Sequence, residues 1–137
     1  MIKPETIKIM LCALLVALFS AQAVAHSSLT ASLPGNGAEV VSPQQLALTF
    51  NEPVRLLRLS LVHGENHQID FGFQAVTAAQ AEFVFDLPEL MVGAHTVTWT
   101  VIGSDGHTVS NSFGFSVNPQ AGEAHMQHHS HDEHHHH

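Results

Sequence analysis

From about Leu29 to Val117 the apolar positions recur every second residue, the period of a half-buried β-strand. Leu46, Leu48 and Phe50 share one face, with Ala47 and Thr49 on the other. Phe83, Phe85 and Leu87 alternate with Val84 and Asp86. His95, Val97, Trp99 and Val101 oppose Thr96, Thr98, Thr100 and Ile102, while Phe113, Phe115 and Val117 alternate with Gly114 and Ser116. Further strands are expected near Leu29–Leu33 and Leu57–Val62. Turn-forming groups punctuate them: Pro34-Gly35-Asn36-Gly37, Asn51-Glu52-Pro53, His63-Gly64-Glu65-Asn66, Pro88, Gly93 and Ser104-Asp105-Gly106. No segment after residue 25 carries a helical stripe. About seven short strands at this spacing predict an all-β fold, an antiparallel two-sheet β-sandwich, with a small closed barrel as the alternative.

The two ends of the chain break this pattern. Lys3 and Lys8 precede an apolar run from Ile9 to Phe19, and Ala23-Val24-Ala25 has the small-x-small form of a signal-peptidase site. The run is too short for a membrane-spanning helix, which takes about 20 apolar residues. Cys12 lies inside the run rather than at the cleavage point where a lipoprotein needs its cysteine. Residues 1–25 therefore read as a signal peptide, residues 26–118 as one β-sandwich domain, and residues 119–137 as a disordered tail with little to bury. The tail holds His125, His128, His129, His131, His134, His135, His136 and His137, interrupted by Met126, Gln127, Ser130, Asp132 and Glu133. A purification tag is usually an unbroken run, so this reads as a native segment that binds Cu(II), Zn(II) or Ni(II) loosely.

Composition narrows the possible partners. The one cysteine leaves with the leader, so the exported protein has neither a disulfide nor a thiolate ligand and depends on its apolar core. Of the 4 Lys and Arg, only Arg55 and Arg58 follow the leader, in a chain with 12 Asp and Glu. Nucleic acid and anionic lipid are poor partners for so little fixed positive charge, whereas cations are favoured.

Cleavage after Ala25 would make His26 the first residue. It would then carry a free α-amino group beside its imidazole, two nitrogen donors that an internal histidine cannot offer together. Asp105-Gly106-His107 is the second place where metal-binding groups gather. Residues two apart in extended chain point the same way, so Asp105 and His107 can address one ion from a single loop. The same residues also suit a plain hairpin turn with an exposed histidine.

The order and spacing of several motifs resemble the CopC family of periplasmic copper-binding proteins. These are His26 at the expected N-terminus, Leu33-Pro34-Gly35-Asn36-Gly37, the stretch from Leu46 to Val54, Gly93-Ala94-His95-Thr96-Val97-Thr98-Trp99, Ser104-Asp105-Gly106-His107, and Ser112-Phe113-Gly114-Phe115-Ser116-Val117. The resemblance implies a Greek-key sandwich of immunoglobulin-like or cupredoxin-like form with a Cu(II) site at one end. By analogy the ligands are the amino group and imidazole of His26, the Asp105 carboxylate and the His107 imidazole. Glu52 stands where relatives place an outer or weak ligand. Three nitrogens and a carboxylate suit the tetragonal preference of Cu(II), and the lack of thiolate argues against blue-copper electron transfer.

The function implied is buffering of copper in the periplasm, or its delivery to a CopD-like inner-membrane copper transport partner, without catalysis. Two alternatives stand beside it: a general Zn/Ni/Cu scavenger working through the tail, and a copper mono-oxygenase with an N-terminal histidine. The second needs an open coordination position and an aromatic substrate face, in a chain with one Trp and no Tyr. Met91 reads as a packing residue. His63 and His67 read as surface histidines, able to chelate at i, i+4 spacing only on a helix.

Overall fold

A computed structural model describes residues 27–122. The leader, His26 and the histidines from His125 onward lie outside the described residues. Seven strands form the sandwich: β1 (Leu29–Leu33), β2 (Glu39–Val40), β3 (Gln45–His63), β4 (His67–Ile69), β5 (Gln80–Asp86), β6 (Gly93–Ile102) and β7 (Thr108–Val117). One sheet holds β1 and β5 on either side of the first half of β3. The other runs β2–β7–β6, then the second half of β3, then β4. The all-β, roughly seven-stranded expectation holds.

Two details depart from the sequence reading. The segments around Leu46–Phe50 and Leu57–Val62 are one continuous strand rather than two separated by a turn at Asn51-Glu52-Pro53. Proline lacks the N–H that a ladder needs. Here that gap falls where β3 leaves one sheet and enters the other, so the strand bends without ending. The β5 register jumps between Thr49 and Val54, and the β6 register shifts between Leu56 and Arg58. The second irregularity resets the inward face from Val54 and Leu56 to Leu59 and Leu61, all buried. The second departure is that β2 pairs in parallel with β7, Glu39 opposite Ser116, in an otherwise antiparallel structure.

The inward sets from the two sheets meet in a single core. Phe50 bridges Phe83 and Trp99 edge-on, at centroid separations of 6.0 and 5.1 Å. Met91 does not contribute as expected: it is 48% exposed, and its neighbour Leu90 is buried instead.

At the end of the core where β6 begins, a row of rings crosses four neighbouring strands. His67 pairs with His63, His63 with His95, and His95 with Phe115. Consecutive ring centroids lie 6.2, 4.9 and 5.3 Å apart. His63 and His67 need no helix to face one another, because the turn at Gly64 folds them opposite each other across a hairpin. His95 is 1% exposed, and its Nδ1 bonds the Gly93 carbonyl at 3.0 Å. Burial holds its pKa below the ordinary imidazole value, with His63 adding to the effect.

Acid should therefore weaken the fold. As pH falls through 6.5 the unfolded chain takes up a proton that folded His95 refuses, so stability declines until the lower folded pKa is reached. The limiting slope is about 1.4 kcal/mol per pH unit. Denaturant unfolding of His95→Phe between pH 7 and 5 should lose this limb of the profile whatever its absolute stability. An unchanged slope would assign the acid sensitivity to other groups.

Candidate metal centre

The β6–β7 hairpin closes at the end of the sandwich opposite the histidine row. Its turn is tied by Gly103 N–H to His107 O and Gly106 N–H to Gly103 O, each 3.0 Å. Gly106 has φ +82°, a left-handed conformation suited to glycine, and lets the chain reverse between the two candidate side chains. The Asp105 carboxylate accepts twice from His107: Oδ1 from the backbone N–H at 3.0 Å and Oδ2 from ring Nδ1 at 2.8 Å. That contact fixes the proton on Nδ1 and leaves Nε2 with its lone pair, a common way of orienting a metal-binding imidazole. The bonded imidazole holds the Asp105 carboxyl below its usual range, and the carboxylate in turn raises His107 above 6.5. An ion bound at Nε2 must displace the second proton that His107 takes up as an imidazolium, while the Nδ1–H bond to Asp105 can stay in place. Affinity for it falls with pH from above the ordinary imidazole range.

Glu52 reaches the same loop from the crossover of β3. Its Oε1 accepts from Ser27 Oγ at 2.6 Å and its Oε2 from Ser104 Oγ at 3.3 Å. Gly103 sits at the centre of this cluster. A Cβ there would overlap Ser27 Oγ and lie 3.0 Å from Glu52 Oε1 and 3.1 Å from Asp105 Oδ1. Glu52 and Asp105 are thus held beside each other, with two hydroxyls on Glu52 and the His107 imidazole on Asp105.

Ser27, 4% exposed, does not stand out in the sequence, and neither does Gly103; Ser104 does so only as part of the turn motif. The one available signal for Gly103 is a glycine next to a turn that already has Gly106 to reverse it. Ser27 carries the key placement. Residue 26 is joined to it directly, and adjacent Cα atoms are 3.8 Å apart. His26 itself lies outside the described residues, but its point of attachment touches Glu52 and Gly103. The turn reading of Asp105-Gly106 is also correct, since those residues do close the hairpin. Among the described residues no three His, Cys, Asp or Glu side chains form a complete metal site by themselves.

The model of the CopC domain matches residues 29–118. The chain belongs to the CopC family. Two curated members are similar to it, the copper resistance proteins C of Xanthomonas campestris pv. juglandis and Pseudomonas syringae pv. tomato. Each is 28% identical over 109 residues, covering 73% of this chain and 86% of the relative. CopC from Methylosinus trichosporium OB3b superposes with a TM-score of 0.57 at 27% identity, over 68% of this chain and 94% of that one. PcoC from Escherichia coli, a methionine-rich copper resistance protein, superposes at 0.58 with 20% identity, over 69% and 100%. That second match shows the shared sandwich fold. The CopC fold places the Asp105–His107 hairpin, the Glu52 crossover and Ser27 at one end.

Proposed function

We propose that this CopC protein binds one Cu(II) ion between its first exported residue and the β6–β7 hairpin, and so buffers copper in the periplasm or hands it to a membrane partner. The ligands are the α-amino group and imidazole of His26, the Asp105 carboxylate and His107, with Glu52 as an outer or weak ligand. Residues 1–25 act as the signal peptide, residues 26–118 as the binding domain and residues 119–137 as a histidine-rich auxiliary segment. The observation that carries the reading is Ser27, buried against Gly103 and hydrogen-bonded to Glu52, with Asp105 on the same glycine. The donor chemistry fits: amine, imidazole and carboxylate suit Cu(II), which binds such sets more tightly than the other divalent first-row ions. The copper resistance proteins it resembles support the same cargo.

The Asp105 carboxylate on the His107 imidazole favours holding an ion over activating oxygen, because its anionic oxygen fills a position that a mono-oxygenase must leave open. Delivery to a CopD-like inner-membrane partner follows the family pattern.

A chain spanning residues 26–118 should retain one tight Cu(II) equivalent and prefer it to Zn(II) in competition titrations. Loss of that equivalent on removing residues 119–137, or equal affinity for Zn(II), would favour the scavenger reading.

A further inference from the structure

The outer face of the β2–β7–β6–β3–β4 sheet is hydroxyl-rich. Val97, Trp99 and Val101 of β6 are buried, so Thr98, Thr100 and Ile102 point outward. Register sets Arg58 beside Thr100 and Ser110 in one row across β3, β6 and β7, and Ser60 beside Thr98 and Ser112 in the next. Thr100 and Ser110 share a hydrogen bond of 2.8 Å. Among the described residues the hydroxyls of Ser60, Thr98 and Ser112 have no hydrogen-bond partner, and neither has the exposed Arg58 guanidinium. Arg55 stands in the row beyond, opposite Ile102. A chain with 12 acidic side chains thus sets the two Arg that follow its leader in adjacent rows of one face.

Beside these rows the edge of β3 is open. Strand β4 covers it at Leu61–His63, and the chain touches it again where Val76 N–H bonds the Leu56 carbonyl at 2.9 Å. Between those contacts residues 57–60 have β6 on one side and no strand on the other. The gap is a groove of about 610 Å³, a size suited to a small molecule. Arg58, Ser60, Thr98 and Gln68 line it, Phe73 forms an apolar wall, and no carboxylate faces in. The Phe73 ring is fixed against Phe85 at a centroid separation of 5.7 Å.

These groups favour one ligand chemistry. A guanidinium without an ion pair suits a carboxylate, which it can grip with two parallel hydrogen bonds. Hydroxyls and a carboxamide both donate and accept, so they match a ligand that itself carries hydroxyls. An acidic peptide or a bare anion would use Arg58 and leave those groups idle. We propose that this groove binds a carboxylated sugar. Arg58 takes the carboxylate, Ser60, Thr98 and Gln68 take the sugar hydroxyls, and Phe73 packs against the C–H face. None of these residues belongs to the Asp105–His107 cluster, so the proposal stands whether or not copper binds there.

The test is a titration of metal-free residues 26–137 with trigalacturonate, followed by amide NMR shifts. Signals of Arg58, Ser60, Thr98 and Ser110 should move together. The methyl-esterified trisaccharide, which lacks the charge, should bind about tenfold or more weakly, and Arg58→Gln should lose as much for the acid. Thr98→Val keeps the shape and β-propensity and removes one hydroxyl, so it should weaken binding about two- to tenfold. Both positions are exposed and should tolerate the change, and the dispersion of the amide spectrum checks this. Arg55→Gln, outside the groove, should bind like the parent chain. Equal loss in Arg55→Gln would reduce the effect to general charge attraction and overturn the proposal. So would triglutamate or inorganic phosphate binding as tightly as the sugar, or the absence of shifts at millimolar trigalacturonate.

Discussion

Adding one residue in front of His26 should remove the tight Cu(II) equivalent and leave the sandwich folded. The extension converts the α-amino group into an amide, which at neutral pH is no longer a basic nitrogen donor, and pushes the new amine a residue away from the hairpin. Even the loss of an outer hydrogen-bond partner weakens metal sites about 10–100-fold. Losing a direct donor and its chelate ring should exceed about a hundredfold. The fold has no stake in the change, since the described strands begin at Leu29 and Ser27 keeps its contacts with Glu52 and Gly103. Competition titration of the extended and native chains, with far-UV circular dichroism on both, decides the matter. Equal affinity would remove His26 from the site, while an unfolded extended chain would show that the N-terminus is structural. An intact mass of the exported protein fixes the first residue beforehand.

Gly103→Ala should damage both stability and copper affinity. The added methyl would overlap Ser27 Oγ and press on Glu52 Oε1 and Asp105 Oδ1 at 3.0 and 3.1 Å. The neighbours are a buried hydroxyl and two carboxylates tied into hydrogen bonds, so they cannot swing away without breaking those bonds. Overpacking of this kind costs about 1–3 kcal/mol. The relief that is open, displacement of Ser27, carries residue 26 away from Asp105 and His107. Thermal unfolding and Cu(II) competition should therefore move together in this variant. Gly35→Ala is the control, since its Cβ would make only an ordinary contact with the Ser32 carbonyl at 3.7 Å. If Gly103→Ala lowers stability but binds copper unchanged, Ser27 is a packing residue with no bearing on the site.

What could be read from the chain follows the range of the interactions concerned. Trp99, Phe113 and Leu48 declare their inward faces because alternation is local and each strand repeats it several times. Asp105 and His107 come together through a turn that the intervening glycine announces. Glu52 was a possible neighbour only through family resemblance, since its approach to Ser104 depends on how β3 crosses between sheets. That crossing was itself misread. Asn51-Glu52-Pro53 carries the chemistry of a turn, and only the change of partner strands shows that the chain goes on. The histidine row was missed for a related reason: His63, His67 and His95 meet through strand register, which spacing in sequence does not reveal. Ser27 was hidden in plain view, as a small residue whose importance lies in the partners that a distant loop brings to it.

Ser27 also has a mechanical meaning. Among the described strands β1 pairs with β3 alone, so the residues after position 26 lie at the edge of a sheet, a natural place for fraying. An ion gripped by His26 on one side and by Asp105 and His107 on the other would close most of the domain into a ring. In a chain with a single cysteine, which can form no internal disulfide, the cargo would act as a removable cross-link, restricting the unfolded chain as a covalent bridge does. Loading would then tighten the whole sandwich, and unloading would return a looser edge to whatever protein took the ion away.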